Sequence, residues 1–206
     1  MPTEQTPGLR ERKKLDTRKA LSDAALELVF EVGLENVVRE DIAARAGVSV
    51  RTFNNYFNGK FDALAYRQIE RMHRTIAAFR ARPADEPTWT AVTTAVLETL
   101  ESDRVGWGAP TAAQMHEIRK FVRSPEVQAS MTRGALDEFV AAIAERTGLD
   151  PHRHPYPRLV AGITLAVHQS ALEVYIHADP PVIITDLLRE AFTAVAAGLP
   201  DPSGGV

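Results

Sequence analysis

Residues 39–57 read REDIAARAGVSVRTFNNYF, two short helical patterns separated by one glycine. In the first, Ile42, Ala43 and Ala46 fall on one inward face. Gly47 then supplies a tight turn, and Val48 fills the gap between the helices. Ser49 stands where a hydroxyl caps the next helix by accepting a backbone N–H. In the second helix Phe53 and Phe57 share a packing face, which leaves Val50, Arg51, Asn54 and Asn55 on the others. Arg and Asn are the side chains best matched to guanine and adenine edges in a major groove. The spacing is that of a helix-turn-helix; a helical corner used only for packing has the same spacing and is the alternative.

Outward from this stretch the chain punctuates itself into helices. No proline lies between Gly8 and Arg82, and beyond Arg82 prolines cluster at 83–87, 110, 125, 151–157, 180–181 and 200–202, where helices start or stop. Leu21, Ala24, Ala25, Leu28 and Val32 predict one apolar stripe on a first helix. Further helices are expected at 40–46, 50–57, 60–81, 88–103, 111–122, 125–147, 156–178 and 182–197, nine in all, with no strand period. The fold class is all-α.

The 206 residues are 45% hydrophobic and 25% charged, with net charge −3 and no cysteine. That composition excludes disulfide scaffolds, thiolate catalysis, Cys-ligated zinc and thiol redox sensing, and burial alone can stabilise the chain without a cofactor. The uncharged run 159–172 is fourteen residues long and includes His168 and Gln169, shorter than a bilayer span. Residues 1–8 lack the apolar stretch of an export signal. No membrane partner and a cytoplasmic location are therefore expected. Charge is more telling locally: residues 9–19, LRERKKLDTRK, hold six basic and two acidic side chains. A run of this kind attracts phosphate by releasing condensed counterions.

Residues Thr17 to Leu64 resemble the DNA-binding domain of the TetR (tetracycline repressor-like) family of transcriptional regulators. The resemblance is carried by Thr17-Arg18 with Ala24 to Leu28, by Gly33, by Asp41 to Ser49, by Arg51 to Phe57, and by Lys60 and Leu64. It implies a nine-helix architecture whose helix-turn-helix domain reads bases through Val50, Arg51 and Asn54. It implies phosphate contacts from Thr52, Asn55, Tyr56 and Lys60, with Ser49 at the start of the recognition helix. The chain departs from the family by having Val38 and then Arg39 where the second helix begins; Arg39 offers a different phosphate contact. The implied organisation is a disordered basic arm at 1–14, a helix-turn-helix domain at 15–59, a connecting helix at 60–82, a sensing and dimerisation domain at 83–199 and a disordered tail at 200–206. The implied partners are a palindromic double-stranded operator, a second copy of the chain and a small-molecule effector.

In the C-terminal half the last two helices are apolar on more than one face, a surplus that suits a four-helix dimer seam through Leu159, Ile163, Val167, Leu188, Phe192 and Val195. For an effector, Trp107, Met115 and Phe139 offer apolar surface, and His116, Arg119, His168 and Tyr175 offer orienting polar groups. A loose similarity of the late helices to mycofactocin-type regulators implies an acyl-CoA-like effector for a repressor. Two other classes compete. One is a ligand-independent architectural DNA-binding protein. The other is a small metal enzyme built on His152, His154, His168 and His177, which lacks a carboxylate at the spacing of helical metal motifs. No phosphate-binding glycine loop or nucleophile elbow is present, so no enzyme is expected.

Overall fold

A computed structural model of the chain describes residues 8–104, 111–125, 135–180 and 182–201. Among the described residues there are nine α-helices and no strand: α1 Leu9–Val32, α2 Arg39–Arg45, α3 Val50–Tyr56, α4 Lys60–Ala81, α5 Thr88–Arg104, α6 Ala112–Arg123, α7 Ala135–Thr147, α8 Tyr156–His177 and α9 Ile184–Ala196. Their described residues gather into two compact units, 8–70 with 111–125 and 71–104 with 135–180 and 182–201; α4 passes from one to the other after Glu70.

The first unit is built around the stripe Leu21, Ala24, Ala25 and Leu28 of α1, which meets Ile42 and Ala43 of α2, Phe53 of α3, and Ala63 and Leu64 of α4. Val32, expected on that stripe, is exposed because the helix ends there. Gly33 follows at φ 85, and its N–H closes on the Val29 carbonyl at 3.0 Å. Arg45 grips Glu31 with both guanidinium ends, at 2.8 and 2.6 Å, and reaches Glu27 at 3.3 Å, so α2 is oriented on α1 by a forked pair.

Two features differ from the expected organisation. The basic run is not a disordered arm from residue 9 onward: α1 already starts at Leu9. Residues 9–19 contain no glycine or proline and are rich in unbranched Arg, Lys, Glu and Leu, which favour helix despite their charge. Second, α6, inside the stretch expected as an 83–199 sensor block, clusters with the first unit, for Phe121 packs against the first core. Its Glu117 Oε2 also accepts the Leu34 N–H at 2.7 Å. Residues 126–134 of the expected 125–147 helix, and the tail from 202 on, lie outside the described residues.

The second unit encloses Ile76 and Phe79 of α4 with Val92 and Val96 of α5, Phe139 and Ile143 of α7, Val160 and Val167 of α8, and Leu188 and Phe192 of α9. Phe79 and Phe139 meet edge-on at 5.4 Å. The Arg146 guanidinium donates to the Pro83 and Glu86 carbonyls, both at 2.6 Å, and lies 5.4 Å from the Phe79 ring, fastening the α4–α5 connection to α7.

This core corrects the expected dimer seam. Leu188 is 0% and Phe192 1% exposed, and Val167 is buried beside them, so all three are occupied inside one chain. Ile163 and Val195 are half-buried against the same core. Only Leu159, 55% exposed, stands clear, joined on α8 by Val174 at 53%. By length and composition α8 is apolar enough to cross a membrane, more so than its uncharged run suggested. One face of it is buried through Val160, Ala161, Val167, Ala171 and Ile176.

Candidate nucleic-acid interface

The turn between α2 and α3 is fixed by local chemistry. Gly47 sits at φ 68, a region that side chains with a Cβ rarely adopt, and the Val48 N–H closes on the Ala43 carbonyl at 2.9 Å. The Ser49 Oγ accepts the Thr52 N–H at 3.1 Å and lies 2.9 Å from the Thr52 hydroxyl. One of those two hydroxyl protons bridges the pair, which leaves the other for an outside acceptor.

Phe53 is fully buried and lies 5.9 Å from Phe57, which in turn meets Tyr66 edge-on at 5.7 Å. Burial, with Glu70 beside it, pushes the Tyr66 phenol up to about 12. This aromatic stack fixes the roll of α3 about its axis. Arg51, Asn54 and Asn55 consequently face outward, and none of them hydrogen-bonds to a described residue. Val50 and Tyr56 differ from expectation: both are half-buried against the core and offer only part of their surface. At the start of α2, Arg39 is exposed and its guanidinium lies 3.7 Å from Glu40, a loose pair that a phosphate can replace.

Lys60 is a correction. Its Nζ donates to the carbonyls of Leu34 at 2.8 Å, Glu35 at 3.2 Å and Val37 at 3.0 Å. An ammonium has three protons, so none is left for a phosphate. Lys60 instead clamps the loop between α1 and α2 from its carbonyl side, while Glu117 holds the same loop by the Leu34 N–H and sits 3.2 Å from Lys120. That hydrogen bond, with Lys120 beside it, holds the Glu117 carboxyl below its ordinary value. Sequence reasoning missed Glu117, whose partner lies 83 residues away and leaves no local signal.

The chain has known relatives. Residues 21–64 match the family described as bacterial regulatory proteins, tetR family, and residues 86–200 match the MftR C-terminal domain. The HTH-type transcriptional regulator TcmR of Streptomyces glaucescens is 32% identical over 184 residues, covering 86% of this chain and 81% of that protein. The chain belongs to the TetR family. It is a DNA-binding transcriptional regulator of a family whose members bind operators as dimers and answer to small-molecule effectors. Two solved structures of repressors share the fold. Thermus thermophilus FadR, in complex with lauroyl-CoA, has a TM-score of 0.56 at 17% identity over 92% of this chain and 98% of its own. SmeT, the repressor of the Stenotrophomonas maltophilia multidrug efflux pump SmeDEF, has a TM-score of 0.57 at 18% identity over 92% and 100%.

Within this TetR-family chain the residues expected to form one effector site are divided. Met115, His116 and Arg119 lie on α6 in the first unit, where Met115 is buried and His116 exposed. Phe139, His168 and Tyr175 lie in the second unit, with Phe139 in its core. Trp107 lies outside the described residues. His168 keeps some surface yet is enclosed by protein atoms, and this burial, with the Arg71 charge nearby, lowers its pKa to about 4. His152 and His154 line a shallow open hollow of about 400 Å³ with Arg153 and Arg158. Among the described residues no three His, Asp or Glu side chains gather as metal ligands.

Proposed function

We propose that this chain acts in the cytoplasm as a homodimeric repressor, without catalysis, whose α3 enters the major groove of a palindromic operator and whose release follows binding of an apolar or amphipathic small molecule. The observation that carries the reading is the outward row Arg51, Asn54 and Asn55 on a helix whose opposite edge is locked by Phe53 and Phe57. Arg51 and Asn54 are assigned to base edges, with the exposed part of Val50 beside them. Ser49, Thr52, Asn55 and Tyr56 are assigned to backbone phosphates, and Arg39 to one more at the start of α2. Two such helices related by a two-fold axis would read half-sites about 34–36 Å apart.

The dimer surface proposed is the exposed apolar face of α8, Leu159 and Val174 with the half-buried Ile163 between them, continued by Val182 and Ile183 before α9. The effector proposed has an acyl-CoA thioester as its first probe; the lauroyl-CoA held by the Thermus thermophilus FadR structure supports that choice. His168 and Tyr175, seven residues apart on α8, are the orienting groups proposed for it. An effector that fits one conformation of the second unit would shift the helices leaving it, and about 1–3 kcal/mol of coupling would suffice for release.

The test is in vitro selection of bound duplexes from a random pool at fixed salt, with and without acyl-CoA. Enrichment of a palindrome that acyl-CoA abolishes supports the whole reading. Enrichment insensitive to every effector tried leaves a constitutive binder, and no enrichment at all refutes sequence reading by α3.

A further inference from the structure

Residues Arg10, Lys13, Lys14, Thr17 and Arg18 recur on α1 at i, i+3, i+4, i+7 and i+8. The series continues without a break into Leu21, Ala24, Ala25 and Leu28, the stripe that packs on the helix-turn-helix core. The first turns of α1 therefore overhang that core and present to the same side a row of cations where the later turns present apolar groups. Arg12 and Lys19 point away from it. Arg10, Lys13 and Lys14 are exposed, and none is paired with a carboxylate among the described residues.

Arg18 ties this row to the recognition helix. Its guanidinium lies 5.7 Å from the centre of the Phe57 ring, at the C-terminal cap of α3, and 5.3 Å from that of Tyr66. Its buried Nε has no acceptor among the described residues. The guanidinium so held is a cation fixed at the root of the row, against the end of the recognition helix.

Resting on the reading of α3 as the base-reading helix, we propose that the Arg10, Lys13, Lys14 and Arg18 face of α1 is a second duplex contact, gripping backbone phosphates that flank the half-site read by α3. A duplex seated on α3 brings its flanking phosphates to the ends of that helix, and the basic row continues the interface outward from the Phe57 end. The contact carries no base preference. It adds affinity, salt dependence and footprint length.

The test compares the full chain with Arg10→Gln/Lys13→Gln/Lys14→Gln, in which glutamine keeps helix propensity and circular dichroism checks the fold. The probes are a random-sequence duplex and the best duplex recovered by selection, each titrated over a series of salt concentrations. The expected result is a slope of log affinity against log salt shallower by about 2.7 per protomer, three phosphates at about 0.9 each. Affinity for both duplexes falls by a similar factor, so their ratio is kept, and trimming the flanks weakens the parent chain but not the variant. An unchanged slope overturns the proposal, as does a variant that loses only binding to anionic phospholipid vesicles. Failure of the α3 reading looks different: the parent chain then shows no preference for the selected duplex over the random one, whatever the slope. Binding to neither duplex refutes both.

Discussion

Replacing Lys60 with methionine keeps most of the stem and removes the ammonium that converges on three carbonyls. The bonds to Leu34 at 2.8 Å and Val37 at 3.0 Å are partly buried, whereas the Glu35 carbonyl at 3.2 Å is exposed and can take water instead. Hydrogen bonds to charged groups contribute about 1.5–3 kcal/mol each, and bonds sharing one donor group do not add fully. The expected loss is therefore about 3 kcal/mol, a large share of the roughly 5–15 kcal/mol of a typical domain. For a chain of this size that lowers the midpoint of thermal unfolding by about 6–12 °C. Lys60→Arg should rescue little, since a planar fork cannot send three donors from one atom to three separate acceptors in the manner of an ammonium. The assay is thermal unfolding followed by circular dichroism, paired with the salt dependence of binding to a random duplex. An unmoved midpoint together with a slope shallower by about 0.9 would show that Lys60 holds a phosphate and that the clamp is wrong.

Other expectations follow from the same geometry. Glu117→Ala leaves the Leu34 N–H without its acceptor and should cost about 1–3 kcal/mol in denaturant unfolding; an unchanged midpoint would mean the α6 contact is incidental. Because the folded pKa of Glu117 is lowered from 4.5, its contribution is complete above that value and fades as pH falls through the lower folded one. His168 is also depressed, to about 4 from 6.5, so the unfolded chain takes up its proton first and stability falls as pH drops from about 6.5 toward 4. The shift corresponds to at most about 3 kcal/mol, and His168→Leu should flatten that part of a stability-against-pH curve; a curve of identical shape would mean the imidazole is hydrated. Leu159→Glu with Val174→Glu should yield folded monomers in sedimentation, whereas Leu188→Glu, which places a charge in the second core, should unfold the chain. Dimers that survive the first pair would place the seam elsewhere.

Elements governed by short-range chemistry were readable in advance. The turn at Gly47, the Ser49 cap and the Phe53–Phe57 face are set by residues within a few positions of one another, and residues 39–57 alone disclose them. The α1 start at Leu9 was hidden because a dense charge run reads as solvated chain unless its unbroken helix propensity is weighed. Lys60 illustrates a different limit. Its position at the head of α4 is legible, but its acceptors lie 23 to 26 residues back, in a loop whose path only the folded core determines. The same holds for Leu188 and Phe192. An apolar stripe announces that it will be covered, and periodicity does not say whether its own chain or another copy covers it.

The unbroken course of α1 has a mechanical side. From Leu21, where the core takes hold, to Leu9 at its tip the helix extends for about 18 Å at 1.5 Å per residue. With no proline or glycine inside it, that length behaves as a stiff cantilever anchored at its root. A rotation of about 10° at the root would carry the tip through roughly 3 Å, as much as the whole donor–acceptor distance of a hydrogen bond. A small rotation of α1 where Leu21 and Ala25 pack on the core thus becomes a displacement on the scale of a whole contact at the far end of the helix.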